Sequence, residues 1–144
     1  MYMLDTNIII FTIRHPRSAC AQKLAEHIGK DVCISVVTYA ELEYGIENSS
    51  DPARNRQAMQ KFLAGIPILP FGLDAATQYG RILAALKKAH KDKQNQDRDK
   101  MIAAHALALD LTLVTDNTKD FIDISGLSLE NWREPGDLNT DRRH

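Results

Sequence analysis

At 144 residues with a formal net charge of −1 and 26% charged residues, the chain is long enough for one domain with a sizeable core. Its even charge excludes a uniformly basic nucleic-acid binder and leaves room only for a local basic patch. Cys20 and Cys33 lie in apolar surroundings with no CxxC pair, which argues for buried free thiols in a reducing cytoplasm rather than a disulfide or a zinc site.

No apolar run approaches a membrane span, and Asp5 interrupts the N-terminus before a signal-peptide core can form, so a cytoplasmic protein is expected. The chain opens with Met1-Tyr2-Met3-Leu4-Asp5-Thr6-Asn7. A short apolar run without polar alternation fits a strand buried on both faces of a parallel sheet, with Asp5 at its end. Residues 8–14 read as a short helix broken at His15-Pro16, and residues 18–28 as a second, with Ser18 as N-cap and Gly29 beyond its end. The β-branched, apolar residues 31–37 read as a strand. A helix from Thr38 to about Asn48 follows, then an amphipathic helix over residues 53–64. Residues 65–71 are a short strand bounded by prolines, which suits a sheet edge. Asp74 is placed as the cap of a long helix carrying Tyr79, Ile82, Leu83 and Leu86 on one face. Its far end turns polar over residues 87–96, the one long loop candidate. A mostly apolar helix then runs from Asp97 or Arg98 to Leu109. Residues 111–115 form another buried strand, residues 116–121 a turn and short helix, and residues 127–132 a last strand. The domain is assigned to residues 1–132 and a loose polar tail to residues 133–144. Strands alternating with helices predict a parallel sheet covered on both faces, with right-handed crossovers.

Carboxylates recur after these strands. Asp5 ends the first; Glu41 lies in the first turn of the helix after the second; Asp116 follows the strand ending at Thr115; Asp99 opens the helix leading into that strand. In open α/β sheets ligands bind beyond the carboxyl ends of the strands, so these acids are expected on one rim. Each also has a purely structural reading. Asp5, Asn7 and Asp116 can cap helices or turns. Thr38-x-x-Glu41 matches a capping box, and Asp99 suits a helix N-terminus. Caps alone need not converge, whereas four acids on one rim repel one another unless a cation neutralises them. Oxygen-only ligands suit Mg²⁺ or Mn²⁺ rather than zinc. No nucleophile–base motif and no Gly-rich phosphate loop is present, and His105 is placed facing away from Asp99 as a packing residue. Acids with a hard metal suit metal-assisted attack of water on a phosphodiester. Lys87, Lys88, Lys91, Lys93 and Arg98, beside Asp99, form a basic cluster that suits a nucleic-acid backbone or, equally, a solvated helix end.

Taken together, Met3-Leu4-Asp5-Thr6-Asn7, Thr38-Tyr39-Ala40-Glu41-Leu42 with Gly45, residues 99–106, residues 114–121 and Leu129-Glu130-Asn131-Trp132 resemble the PIN-domain ribonucleases, and specifically the VapC toxins of bacterial VapBC toxin–antitoxin modules. The resemblance implies a three-layer α/β/α sandwich around a mainly parallel sheet, a homodimer, and Mg²⁺- or Mn²⁺-dependent endoribonuclease activity on structured RNA, often tRNA. By position it implies Asp5, Glu41, Asp99 and Asp116 as the catalytic acids, with Asp5, Asp99 and Asp116 on the metal and Thr6, Asn7, Thr115 and Asp120 in support. It also implies a VapB-type antitoxin that wraps the toxin and places a basic side chain among the acids. Two departures stand out. Gln96-Asp97-Arg98 replaces a usual Gly-Pro, making Asp97 a rival to Asp99. Related sequences often carry Asn at the fourth position with an acid further on, so Asp120 is an alternative to Asp116. A haloacid-dehalogenase-type phosphatase also begins with a strand and an Asp, but needs a second Asp where Asn7 stands. A catalytically inactive PIN-like binding module is the remaining alternative, and the intact set of acids argues against it.

Overall fold

A computed structural model describes residues 1–93 and 97–137. The elements are β1 (Tyr2–Leu4), α1 (Thr6–Arg14), α2 (Ala19–His27), β2 (Val32–Ser35), α3 (Val36–Glu47), α4 (Pro52–Leu63), β3 (Ile68–Leu69), α5 (Leu73–Lys88), α6 (Asp97–Ala108), β4 (Thr112–Val114), a 3₁₀ turn (Thr118–Phe121) and β5 (Ser128–Glu130). The strands form one five-stranded sheet in the order β3-β2-β1-β4-β5, and every pairing is parallel. From β1 the chain builds outward through β2 to β3, then returns to the other side of β1 for β4 and β5. The order therefore reverses between β1 and β4, and the crevice beyond their carboxyl ends is the topological switch point, where ligands bind in folds of this type.

Neighbouring residues in each strand serve opposite faces, which is why the strands read as continuous apolar runs. Leu4, Ile34 and Val114 pack with Ile8, Phe11, Leu24, Leu42 and Trp132 on one side. Met3, Cys33 and Leu113 pack with Ile82, Leu86, Ile102, Ala103, Ala106 and Phe121 on the other. The result is the expected three-layer α/β/α arrangement. Both cysteines are buried and free, as anticipated. Among the described residues no helix is long and apolar enough to cross a membrane.

Several local expectations are corrected. The strand expected over residues 31–37 stops at Ser35, whose side chain accepts a hydrogen bond from the Val37 amide and caps α3. Val36 and Val37 are thus helical despite their β-branching, and the Thr38–Glu41 capping box does not form. Gly72, not Asp74, stands at the N-cap of α5, with Asp74 in its first turn. Lys87 and Lys88 are helical rather than part of a loop; residues 94–96 of that stretch lie outside the described residues. Gly29 does follow α2, with a φ of +81° that favours glycine as the chain turns into β2. Within the expected tail, residues 133–137 are described. Asp137 is 5% exposed and accepts hydrogen bonds from the Ala19 and Cys20 amides at 3.1 Å each, the free amides at the start of α2. Residues 133–137 are therefore docked on the domain; residues 138–144 lie outside the described residues.

Candidate active site

Asp5 is the centre of the crevice. It is the N-cap of α1 and only 4% exposed. One carboxylate oxygen, Oδ1, accepts from the Thr6 amide at 2.8 Å. The other, Oδ2, accepts from the Thr115 hydroxyl at 2.8 Å, across the switch point between β1 and β4. The Thr115 oxygen itself accepts from the Asn117 amide at 3.1 Å, which fixes its proton toward Asp5. Capping and a role in the crevice are thus compatible. Burial pushes the Asp5 carboxyl up to about 6, against the lowering by Thr115 and Thr6 and with further upward pressure from Asp99 and Glu41.

Glu41 is held to the same place by a long-range contact. The Thr6 hydroxyl donates to Glu41 Oε1 at 2.9 Å, so the residue after Asp5 tethers the second acid. Because Ser35 caps α3, Glu41 lies in its second turn rather than its first.

Asp99 enters from α6, half-buried, with Ile102, Ala103 and Ala106 of the same helix at 0% exposure against the sheet. Burial raises its carboxyl above the usual range, Glu41 and Asp120 raise it further, and Arg98 opposes them. The Arg98 Nε lies 3.7 Å from Glu41 Oε2. Asp97 behaves differently: its side chain is 80% exposed and stands 3.8 Å from Lys100 Nζ. The buried Lys100 ammonium donates to the Asp92 carbonyl at 2.7 Å, tying down the approach to α6.

The two candidates for the fourth acid, Asp116 and Asp120, have different partners. Asp116 accepts from Arg133 Nη1 at 2.8 Å in a largely buried ion pair. It also lies near Cys20, as do Arg133 and Asp137. The Asp120 carboxylate adds to the upward pressure on Asp99. Asp120, one turn further along, accepts from the Asn117 carboxamide. Asp5 thus has Asp99 and Glu41 for neighbours, Asp99 has Glu41 and Asp120, and Asp116 is paired with Arg133. Of the supporting residues, Thr6 and Thr115 contact the acids, whereas Asn7 is exposed.

The basic cluster is split. Lys87, Lys88 and Lys93 are exposed, Lys91 pairs with Asp123 at 2.7 Å, and only Arg98 borders the acids. Among the described residues no three His, Cys, Asp or Glu side chains converge as closely as a metal site requires. The donor chemistry nevertheless fits a hard cation: the neighbouring groups are all carboxylates, and Asp5 and Asp99 have their charged forms disfavoured by burial and by nearby acids.

Two contributors left no readable signal in the sequence. Arg133 follows Trp132 in a polar run, and nothing local marks it as the partner of Asp116. The Ser35 hydroxyl meets His105 Nδ1 at 2.8 Å, linking the start of α3 to the middle of α6. His105 is buried as expected, but as a hydrogen-bonded bridge and not as packing alone.

A family model described as the PIN domain matches residues 2–127. The tRNA(fMet)-specific endonuclease VapC of Shigella flexneri is 40% identical over 131 residues, covering 91% of this chain and 97% of that protein. Ribonuclease VapC2 of Haemophilus influenzae is 38% identical with the same coverage. Among solved structures, the DNA-bound VapBC of Salmonella typhimurium superposes with a TM-score of 0.85 at 34% identity, covering 91% of this chain and 97% of that one. VapBC2 of Rickettsia felis bound to a promoter DNA fragment gives 0.84 at 34% identity, covering 91% and 98%.

Proposed function

The chain belongs to the PIN-domain family, and on that premise we propose that it is the toxin of a VapBC-type toxin–antitoxin pair: an endoribonuclease that hydrolyses phosphodiester bonds of structured RNA in the cytoplasm and is restrained by a VapB-type antitoxin. The relatives named as VapC ribonucleases support the activity, and the neighbours solved as VapBC complexes support the partner. A tRNA is the proposed substrate class, because the Shigella relative carries a tRNA(fMet)-specific name.

The observation that carries the reading is Asp5: a buried carboxylate at the switch point, shared between two hydrogen-bond donors and pressed by Asp99 and Glu41. We assign Asp5 and Asp99 to hold a divalent cation, Mg²⁺ or Mn²⁺, with Glu41 and Asp120 flanking it. When bound, such an ion lowers the pKa of a coordinated water and offsets charge on the phosphoryl group. The protein's own part is positional. Thr115 and the Thr6 amide keep the Asp5 oxygens in one orientation; the Thr6 hydroxyl holds Glu41 beside them, where a carboxylate can accept a proton from an attacking water. Arg98 at the rim supplies positive charge for the RNA backbone. A homodimer would cover the exposed apolar side chains Leu73 and Leu109, at 84% and 45% exposure, and light scattering should return about twice the chain mass.

Incubation of the purified protein with total tRNA, with Mg²⁺ or with excess chelator, tests the assignment. Cleavage with metal and none with chelator is expected. Equal cleavage in both arms, or none in either, overturns it.

A further inference from the structure

Beside the acids lies a second feature with different chemistry. Val36, Ala40, Phe71 and Met101 wall a cavity of about 440 Å³, and Glu41 and Arg98 also line it. Apart from those two charged residues its lining is apolar. Val36 is 39% exposed there although nothing in its helix requires an apolar residue on the outside. Phe71 does not hang freely. Its ring meets His105 edge-on, with centroids 5.5 Å apart and planes at 74°. His105 is itself pinned. The Ser35 hydroxyl meets its Nδ1, and a hydrogen bond to the Pro70 backbone can only reach the carbonyl, since proline has no amide proton. The Ser35 oxygen also accepts from the Val37 amide. The aromatic wall thus rests against a side chain that is hydrogen-bonded into the core.

The residue pair at the mouth decides what such a cavity suits. Glu41 is common to the cavity and to the acid site, so a molecule seated here is continuous with a phosphodiester lying over Asp5 and Asp99. Arg98, with Nε 3.7 Å from Glu41, presents a planar cation at the rim. A largely apolar cavity with an aromatic wall and a guanidinium at its edge matches the way proteins take up unstacked RNA bases, by aromatic and Arg stacking. Away from Glu41 and Arg98 at the mouth, the lining offers, among the described residues, no polar side chain to a sugar or phosphate.

We propose that this cavity is a subsite for an unpaired nucleobase flanking the bond that is cut, formed by Phe71, Met101, Val36 and Ala40 with Arg98 at its rim. The proposal rests on the endoribonuclease reading above. It gives selection of RNA a structural seat separate from the acids: a nucleotide that cannot leave its helical stack cannot place its base in the cavity, so the bond beside it is cut poorly.

The test uses the full chain with Mg²⁺ and ¹³C-labelled methyl groups of Met101, Val36, Val37 and Ala40. Each of the four nucleoside 5′-monophosphates is titrated in, with ribose 5-phosphate as the control lacking a base. Saturable shifts of these methyl signals with at least one nucleotide, and none with ribose 5-phosphate, are expected. Ala40→Leu, which intrudes on the cavity from an exposed helical position, should weaken the nucleotide at least tenfold. On RNA it should raise KM by a similar factor with little change in kcat, while the melting curve stays that of the parent. Phe71→Leu should act in the same direction. Shifts confined to residues around Asp5 and Asp99, equal shifts with ribose 5-phosphate, or methyl signals that move with protein concentration alone, as when a second copy fills the cavity, would each overturn the proposal. Asp99→Asn separates the two readings. It should end cleavage and leave the methyl shifts intact. Continued cleavage by that variant counts against the acid-site assignment, and the cavity is still judged by its own shifts.

Discussion

Arg133 donates from Nη1 to Asp116 Oδ2 at 2.8 Å, with the two side chains only 6% and 16% exposed, and the guanidinium carbon lies 3.9 Å from the centre of the Phe11 ring. An acid that the sequence places on the catalytic rim is thereby engaged in an ion pair. A buried guanidinium needs a counter-charge, and Asp116 supplies it.

The two candidates for the fourth acid should respond in opposite ways. Asp116→Asn removes the carboxylate that accepts from the buried Arg133, a loss on the order of 3 kcal/mol, and cleavage per folded molecule should stay within a few-fold of the parent. Asp120→Asn should fold normally and lose most metal-dependent cleavage. Urea unfolding and a tRNA cleavage assay on both variants decide between them; a folded, stable and inactive Asp116→Asn would restore the sequence assignment.

Asp97 and Asp99 are two positions apart, so on α6 they project roughly 200° from one another. Asp99 sits half-buried among carboxylates, and Asp97 is 80% exposed beside Lys100. Asp99→Asn should abolish cleavage, remain folded and no longer harm cells that express it. Asp97→Asn should remain toxic and lose no more than about 1 kcal/mol, the scale of a helix-terminal interaction. The reverse pattern of toxicity would reassign the third acid.

The Asp5 carboxyl is raised from 3.8 to about 6, so without metal the folded state binds a proton more tightly than the unfolded chain. That contribution is fully present below about pH 3.8 and is lost as pH rises through 6, in all roughly 3 kcal/mol at about 1.4 kcal/mol per pH unit. Chelator-treated protein should lose stability relative to Asp5→Asn across that window. Metal and proton compete for the same carboxylate, so the Mg²⁺ concentration for half-maximal cleavage should rise steeply below pH 6. A metal requirement flat from pH 5 to 7 would show that Asp5 is not a ligand.

Hydrolysis by water spares the 2′-hydroxyl of the RNA. The products should carry a 5′-phosphate and a 3′-hydroxyl, read by direct ligation of adaptors to the new ends. A 2′,3′-cyclic phosphate would mean that the ribose hydroxyl attacked, and the proposed role of the acids would fail.

The frame was legible in the residues alone. Consecutive apolar residues such as Met3-Leu4, Cys33-Ile34 and Leu113-Val114 can only be satisfied between two helical layers, and that requirement puts Asp5 and Thr115 at the ends of adjacent parallel strands. Asp99 was also legible, because the spacing to Ile102, Ala103 and Ala106 sets the face of α6 that meets the sheet. Three decisions belonged to the packed chain. Val36 and Val37 look like strand residues by propensity, but the Ser35 cap, tied to His105 seventy positions away, starts the helix before them. Glu41 was readable as a capping-box residue until Thr6, thirty-five positions earlier, took its carboxylate. Asp116 and Asp120 are equally plausible acids in a local reading of residues 115–121. What distinguishes Asp116 is its pairing with Arg133, whose charge is buried there. Periodicity and spacing report which face an element buries, because burial acts through the local repeat. The partner of a buried charge is set by which distant segment comes to lie beside it, and that depends on the tertiary arrangement as a whole.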